Sequence, residues 1–195
     1  MSNLYLEAFE ALHKSLGRSR RTGIGYFGID CFEDRSKLCS QYSWAVPTDE
    51  AIKALVNASP LVEIGAGTGY WASLIAAAGG EVLAFDRVVP GPENEYHVGV
   101  QHKYHEILIG GPEDAAAYPE HTLFLCWPPY DKPMAHEALK HYTGSRLIFV
   151  GESEGGCTAD WKFFRELDDS WEEEDYVQIP TYQGIHDALW VYKRR

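Results

Sequence analysis

Leu61-Val62-Glu63-Ile64-Gly65-Ala66-Gly67-Thr68-Gly69-Tyr70-Trp71 places three glycines at alternate positions directly after an apolar run. Leu61 to Ile64 reads as a short buried strand, and Tyr70 to Ala78, closed by Gly79-Gly80, reads as a helix. Glycine tolerates positive φ and lets a ligand approach the backbone, while a helix N-terminus offers unpaired N–H groups. Phosphates and carboxylates both suit such an end. Dinucleotide enzymes favour GxGxxG, and the third glycine of that pattern is here Tyr70, so the spacing argues against a nicotinamide cofactor.

Working outward, Val82 to Phe85 is a second apolar strand, which completes a βαβ unit and leaves Asp86 at its end. Ile107 to Ile109, Thr122 to Cys126 and Leu147 to Val150 are three further strands, with a helix at Met134 to Tyr142 between the last two. Upstream, Thr48 followed by Asp49 and Glu50 starts a helix whose apolar face is Ala51, Ile52, Leu55 and Val56 and which stops over Asn57 to Pro60. Downstream, Thr158 to Leu167 reads as a helix, and Tyr176 to Ile179 and Ala188 to Tyr192 as a closing antiparallel pair. The alternation predicts an α/β fold with a mostly parallel sheet covered on both faces.

At the N-terminus, Tyr5, Ala8, Phe9, Leu12 and Leu16 recur at helical spacing, with Ser2 as N-cap and Gly17 as the stop. Residues 18 to 47 interleave Gly23, Gly25 and Gly28 with Tyr26, Phe27, Phe32, Tyr42 and Trp44, too irregular for regular elements and suited to a cover. The expected organisation is one domain, with 1–47 as helix and aromatic cover and 48–195 as the core.

A chain of 195 residues, 45% apolar, holds one full core. Its 17 basic against 29 acidic side chains leave a formal charge of −12, which repels a phosphate backbone and points to a small molecule or a protein as partner rather than nucleic acid. Arg18-Ser19-Arg20-Arg21 is a local exception, read as offsetting a helix C-terminal dipole. Cys31, Cys39, Cys126 and Cys157 lack CxxC spacing, so neither zinc nor a disulfide framework is expected. With no apolar run long enough for a bilayer and no signal pattern, a reducing cytoplasm is the expected compartment. Nothing in the sequence speaks to oligomeric state.

The acidic-x-Gly-x-Gly-x-Gly turn together with Asp86 resembles motif I of the class I S-adenosylmethionine-dependent methyltransferase superfamily. The resemblance spans roughly residues 42 to 192 and implies a Rossmann-like fold, a mostly parallel seven-stranded sheet with an antiparallel last strand. It implies S-adenosylmethionine as cofactor, its methionine and ribose portions lined by Gly65, Gly67 and Gly69. Glu63 would lie near the amino group, and Asp86 would accept from the ribose hydroxyls. In Gly110-Gly111-Pro112-Glu113-Asp114, Glu113 or Asp114 would accept from the adenine amine, although both also suit the first turn of a helix.

Leu123-Phe124-Leu125-Cys126-Trp127-Pro128-Pro129-Tyr130 resembles motif IV of amino-methyltransferases, where Asp, Asn or Ser precedes Pro-Pro and an aromatic. Here Trp127 holds the acceptor position, and an indole only donates. What the resemblance leaves for the acceptor site is the Pro128 carbonyl with the aromatic faces of Trp127 and Tyr130. The prolines alone also make a rigid strand terminator. Candidate bases are His97, His102, His105 and Asp131, and no metal site is assigned, since His102 and His105 lack a third ligand. Gly151 to Thr158 is a further glycine-rich loop at the same sheet edge. The expected function is methyl transfer to a small molecule or protein side chain. The alternatives are a cofactor-binding partner or sensor that performs no transfer and, third, a nicotinamide-dependent oxidoreductase.

Overall fold

Strands and helices alternate along most of the chain. The computed structural model describes the backbone of residues 2–21, 29–91, 94, 96 and 103–195, and the side chains of those outside 16–32. In order the elements are α1 (Leu4–Arg21), α2 (Ile29–Gln41), α3 (Asp49–Asn57), β1 (Leu61–Ile64), α4 (Tyr70–Ala77), β2 (Val82–Asp86), β3 (Leu108–Ile109), a 3-10 helix (Pro112–Ala117), β4 (Thr122–Cys126), α5 (Met134–His141), β5 (Arg146–Gly151), α6 (Trp161–Ser170), β6 (Trp171–Gln178) and β7 (Ala188–Arg194). Among the described residues they build a seven-stranded sheet in the order β3-β2-β1-β4-β5-β7-β6. The first five strands of that order run parallel, and β7 pairs antiparallel with both β5 and β6.

Alternation of side chains along each central strand feeds two cores. Leu61, Phe124, Ile148 and Val150 face α1, α3 and α4, whereas Val62, Leu123, Leu125, Leu147 and Phe149 face α5 and α6. Ile52 and Leu55 of α3, both buried, contribute roughly 1.5–3 kcal/mol each by leaving water. Thr48 caps that helix as expected, its hydroxyl accepting from the Ala51 N–H at 3.1 Å.

Several boundaries differ from the sequence expectation, four of them with a clear physical reason. The cap of α1 is Asn3, whose Oδ1 accepts from Leu6 N at 3.2 Å, while Ser2 turns to Glu7. The helix runs through Gly17 to Arg21, the cost of an interior glycine being only about 1 kcal/mol. Residues expected to be irregular form α2; Gly23, Gly25, Tyr26, Phe27 and Gly28, expected in the same cover, lie outside the described residues. β6 begins at Trp171, where α6 stops, because its pairing with β7 holds the run Glu172–Asp175 extended although that run has no apolar alternation.

The N-terminal segment rests on the start of α4. Tyr5 is fully buried, stacks on Tyr42 at 5.1 Å and donates its backbone N–H to the Tyr70 hydroxyl at 2.9 Å. Tyr70 in turn hydrogen-bonds Asn3 Oδ1 at 3.1 Å, so the residue that opens α4 also holds the cover.

Candidate active site

A cleft of about 490 Å³ opens at the C-terminal ends of β1, β2 and β4. That is where ligands gather in open parallel sheets, since the crossovers leave a crevice there. Its wall is the stretch Glu63 to Thr68 on one side, Asp86 to Val88 and Gly110 to Pro112 on another, and Cys126, Trp127, Pro129, Lys132, Met134 and Glu137 opposite. Ser43 and Trp44, from the connection between α2 and α3, close over it.

The glycine turn adopts the backbone its residues permit: φ is 83° at Gly65, 58° at Gly67 and 75° at Gly69. Most of its N–H groups are already spent. Gly65 N and Ala66 N donate to Phe85 O at 2.8 and 2.9 Å, Gly67 N to Asp86 Oδ2 at 2.8 Å, and Gly69 N to Ala66 O at 2.8 Å. A phosphate cradle needs such donors free, so the turn is poorer in anion-binding capacity than the sequence implied. Gly69 lies outside the cleft lining; a Cβ there would meet His105 Cβ at 3.1 Å, which makes it a packing glycine.

Acceptors, in contrast, are concentrated here. Glu63 is 1% exposed, and its Oε2 has no hydrogen-bond partner among the described residues. Burial first, and then the nearby Asp86 carboxylate, push its pKa up to about 8. Asp86 accepts from Gly67 N through Oδ2 and from Val88 N at 3.1 Å through Oδ1, and each carboxylate oxygen has two lone pairs, so it can accept from a ligand hydroxyl as well. Glu113 stands exposed in the first turn of the 3-10 helix, off the cleft, and Asp114 Oδ2 accepts from Gly111 N at 2.8 Å. The cleft is lined there instead by the backbone of Gly110 and Gly111.

On the opposite wall, Trp127 has φ 50°, a strained value for a bulky side chain. Its N donates to Val150 O at 2.7 Å, its Nε1 to Asp187 Oδ1 at 2.8 Å, and its ring stacks on Trp44 at 5.5 Å. Two of the three expected acceptor-side groups fall elsewhere. The Pro128 carbonyl is buried and accepts from Ala159 N at 3.0 Å, because the loop before α6 folds back onto it. Tyr130 is 64% exposed and outside the lining. Asp131 and His105 do not line the cleft, and His97 and His102 lie outside the described residues. The Gly151 to Thr158 loop serves structure: Glu152 is buried and accepts from Cys157 N at 2.7 Å and His186 N at 2.9 Å.

Asp187 and Arg35 carry no motif and were missed from sequence. Asp187, in the β6–β7 connection, is 4% exposed; burial raises its pKa to about 7, opposed by the Trp127 hydrogen bond. An aromatic shell rich in Trp and Tyr was the one signal that polar anchors would be needed beneath it. Among the described residues no three His, Cys, Asp or Glu side chains converge as metal ligands.

Comparison with solved structures places the fold. Magnesium protoporphyrin IX methyltransferase from Synechocystis PCC 6803 with bound S-adenosylmethionine is similar to all of this chain, covering 98% of its own, at TM-score 0.51 and 14% identity. The same enzyme with bound S-adenosylhomocysteine is similar over 93% of this chain and 94% of its own, at TM-score 0.51 and 15% identity. The chain thus has the Rossmann-like architecture of those methyltransferases. No family model and no curated protein matches the sequence. Among the described residues, no helix is long and apolar enough to cross a membrane.

Proposed function

We propose that this chain is an S-adenosylmethionine-dependent methyltransferase that acts on a small molecule or protein side chain. The observation that carries the reading is the buried Glu63 Oε2, without a hydrogen-bond partner among the described residues, beside Asp86 in a cleft where most of the turn N–H groups are spent. Such a site asks for a ligand that brings donors, and an ammonium with two ribose hydroxyls brings them. A pyrophosphate does not, which argues against a dinucleotide. The structural neighbours crystallised with S-adenosylmethionine or S-adenosylhomocysteine support the same choice.

Glu63 would hold the amino group, Asp86 the ribose, and Gly65, Gly67 and the Gly110–Gly111 backbone the close approach. When bound, S-adenosylmethionine supplies a sulfonium methyl; the acceptor's lone pair forms the new bond to carbon as the C–S pair returns to sulfur. The protein's part is alignment and exclusion of water, supplied by Ser43 and Trp44 closing over the cleft and by the Trp44–Trp127 wall. Calorimetric titration with S-adenosylhomocysteine and with NAD tests the reading: tight NAD binding without response to S-adenosylhomocysteine would overturn it.

A second reading is a binding protein that performs no transfer. It is favoured by Trp127, whose only side-chain polar group points at Asp187 and leaves no acceptor for a target nitrogen. Incubation with methyl-labelled cofactor and fractionated cell extract separates the two, since label transfer excludes the second.

A further inference from the structure

Behind the two indoles that wall the cleft lies a cation with unspent donors. Arg35, from α2, has its Cζ 5.5 Å from the ring centres of both Trp44 and Trp127 and 5.4 Å from that of Tyr182. Its Nε and Nη2 are buried and have no hydrogen-bond partner among the described residues. Asp187 is close enough for its charge to feel Arg35, but its one described hydrogen bond, at Oδ1, comes from Trp127; the two oxygens of Glu152 accept from His186 N and Cys157 N. Among the described residues the ion pairs are surface ones, and none involves Arg35.

Dry guanidinium N–H groups are costlier than dry neutral donors. Nε and Nη2 together form the edge of the guanidinium that pairs side-on with a planar anion through two parallel hydrogen bonds. In a molecule of net charge −12, a half-buried cation that forms no ion pair among the described residues, although Asp187 is near, keeps two donors for an anion from outside. The wall between it and the cleft is unequal. Trp127 is tethered by its backbone N and by Nε1. Trp44 is held there by ring contacts, stacking on Trp127 and lying against the Arg35 guanidinium.

We propose that the acceptor taken by this cleft is a flat carboxylate, which displaces the Trp44 indole from Trp127, stacks in its place and pairs with the Nε–Nη2 edge of Arg35. The assignment rests on the methyltransferase reading for the chemistry after binding, but not for binding itself.

The test is calorimetric titration of 2-naphthoate and its uncharged isostere 2-naphthamide into the S-adenosylhomocysteine-loaded protein, into the unloaded protein, and into Arg35→Gln and Arg35→Lys. The carboxylate should bind at least about tenfold more tightly than the amide, with the preference lost in Arg35→Gln and partly kept in Arg35→Lys. Equal binding of the two probes, binding of neither, or a preference that survives in Arg35→Gln would overturn the proposal. Should Arg35→Gln fail to fold, the wild-type comparison and Arg35→Lys decide. Failure of S-adenosylhomocysteine to bind would sink the cofactor reading separately, while the naphthoate preference on unloaded protein still decides the role of Arg35.

Discussion

Glu63 ends up where a carboxylate is least comfortable, and that discomfort has measurable signs. With its pKa raised to about 8 by burial and Asp86, the group is protonated in the free protein at neutral pH. Its unfolded counterpart ionises near 4.5, so the folded state is favoured most below that value and loses this contribution as pH rises toward 8. Glu63→Gln removes the penalty: thermal melts should show the variant gaining on wild type by a few degrees at pH 8.5 and little at pH 4.5. Binding of S-adenosylhomocysteine through its ammonium needs the ionised form. Its affinity should therefore tighten as pH rises from 6.5 to 8, by up to about tenfold per unit, and calorimetry on Glu63→Gln should show this dependence gone. At Gly65, φ 83° strains any side chain, and a Cβ would meet Met134 Cε, the movable end of that side chain, at 2.7 Å. Gly65→Ala should cost about 1–2 kcal/mol in denaturant unfolding and weaken S-adenosylhomocysteine binding more than tenfold.

Elements were legible wherever local pattern and tertiary demand coincided. Thr48 with Asp49 and Glu50 announced α3, and Thr48→Ala should cost about 1 kcal/mol of stability without moving cofactor affinity, because Thr48 does not line the cleft. Buried on both faces, β1 and β4 read as apolar runs and have the predicted bounds. Edge elements were harder. The strand β6 exposes Glu172 to Asp175, so no periodicity marks it, and the start of α6 is set by Ala159 at φ 55° and by the Asp160 cap rather than by Thr158. The site divides the same way. The turn and Asp86 are contiguous with strands and could be found; Arg35 and Asp187 reach Trp127 from elements 92 residues before and 60 after it, which no spacing rule anticipates.

For the molecule as a whole, a cofactor bound by β1, β2 and β4 at once should report on global stability. At a hundredfold excess over its Kd, S-adenosylhomocysteine should add about 2.7 kcal/mol, seen as a melting point several degrees higher, and NAD at the same concentration should leave it unmoved. The order β5-β7-β6 carries a consequence for how the chain is made. β7 follows β6 in the chain yet lies inside it, so during synthesis β6 leaves the ribosome with no strand to pair with, and β5 waits with one edge bare until Ala188 to Arg194 emerge. The unpaired β6 carries Trp171-Glu172-Glu173-Glu174-Asp175-Tyr176, and its four neighbouring negative charges make two such strands repel each other. The acids that hid β6 from pattern recognition thus keep nascent chains apart until the sheet closes.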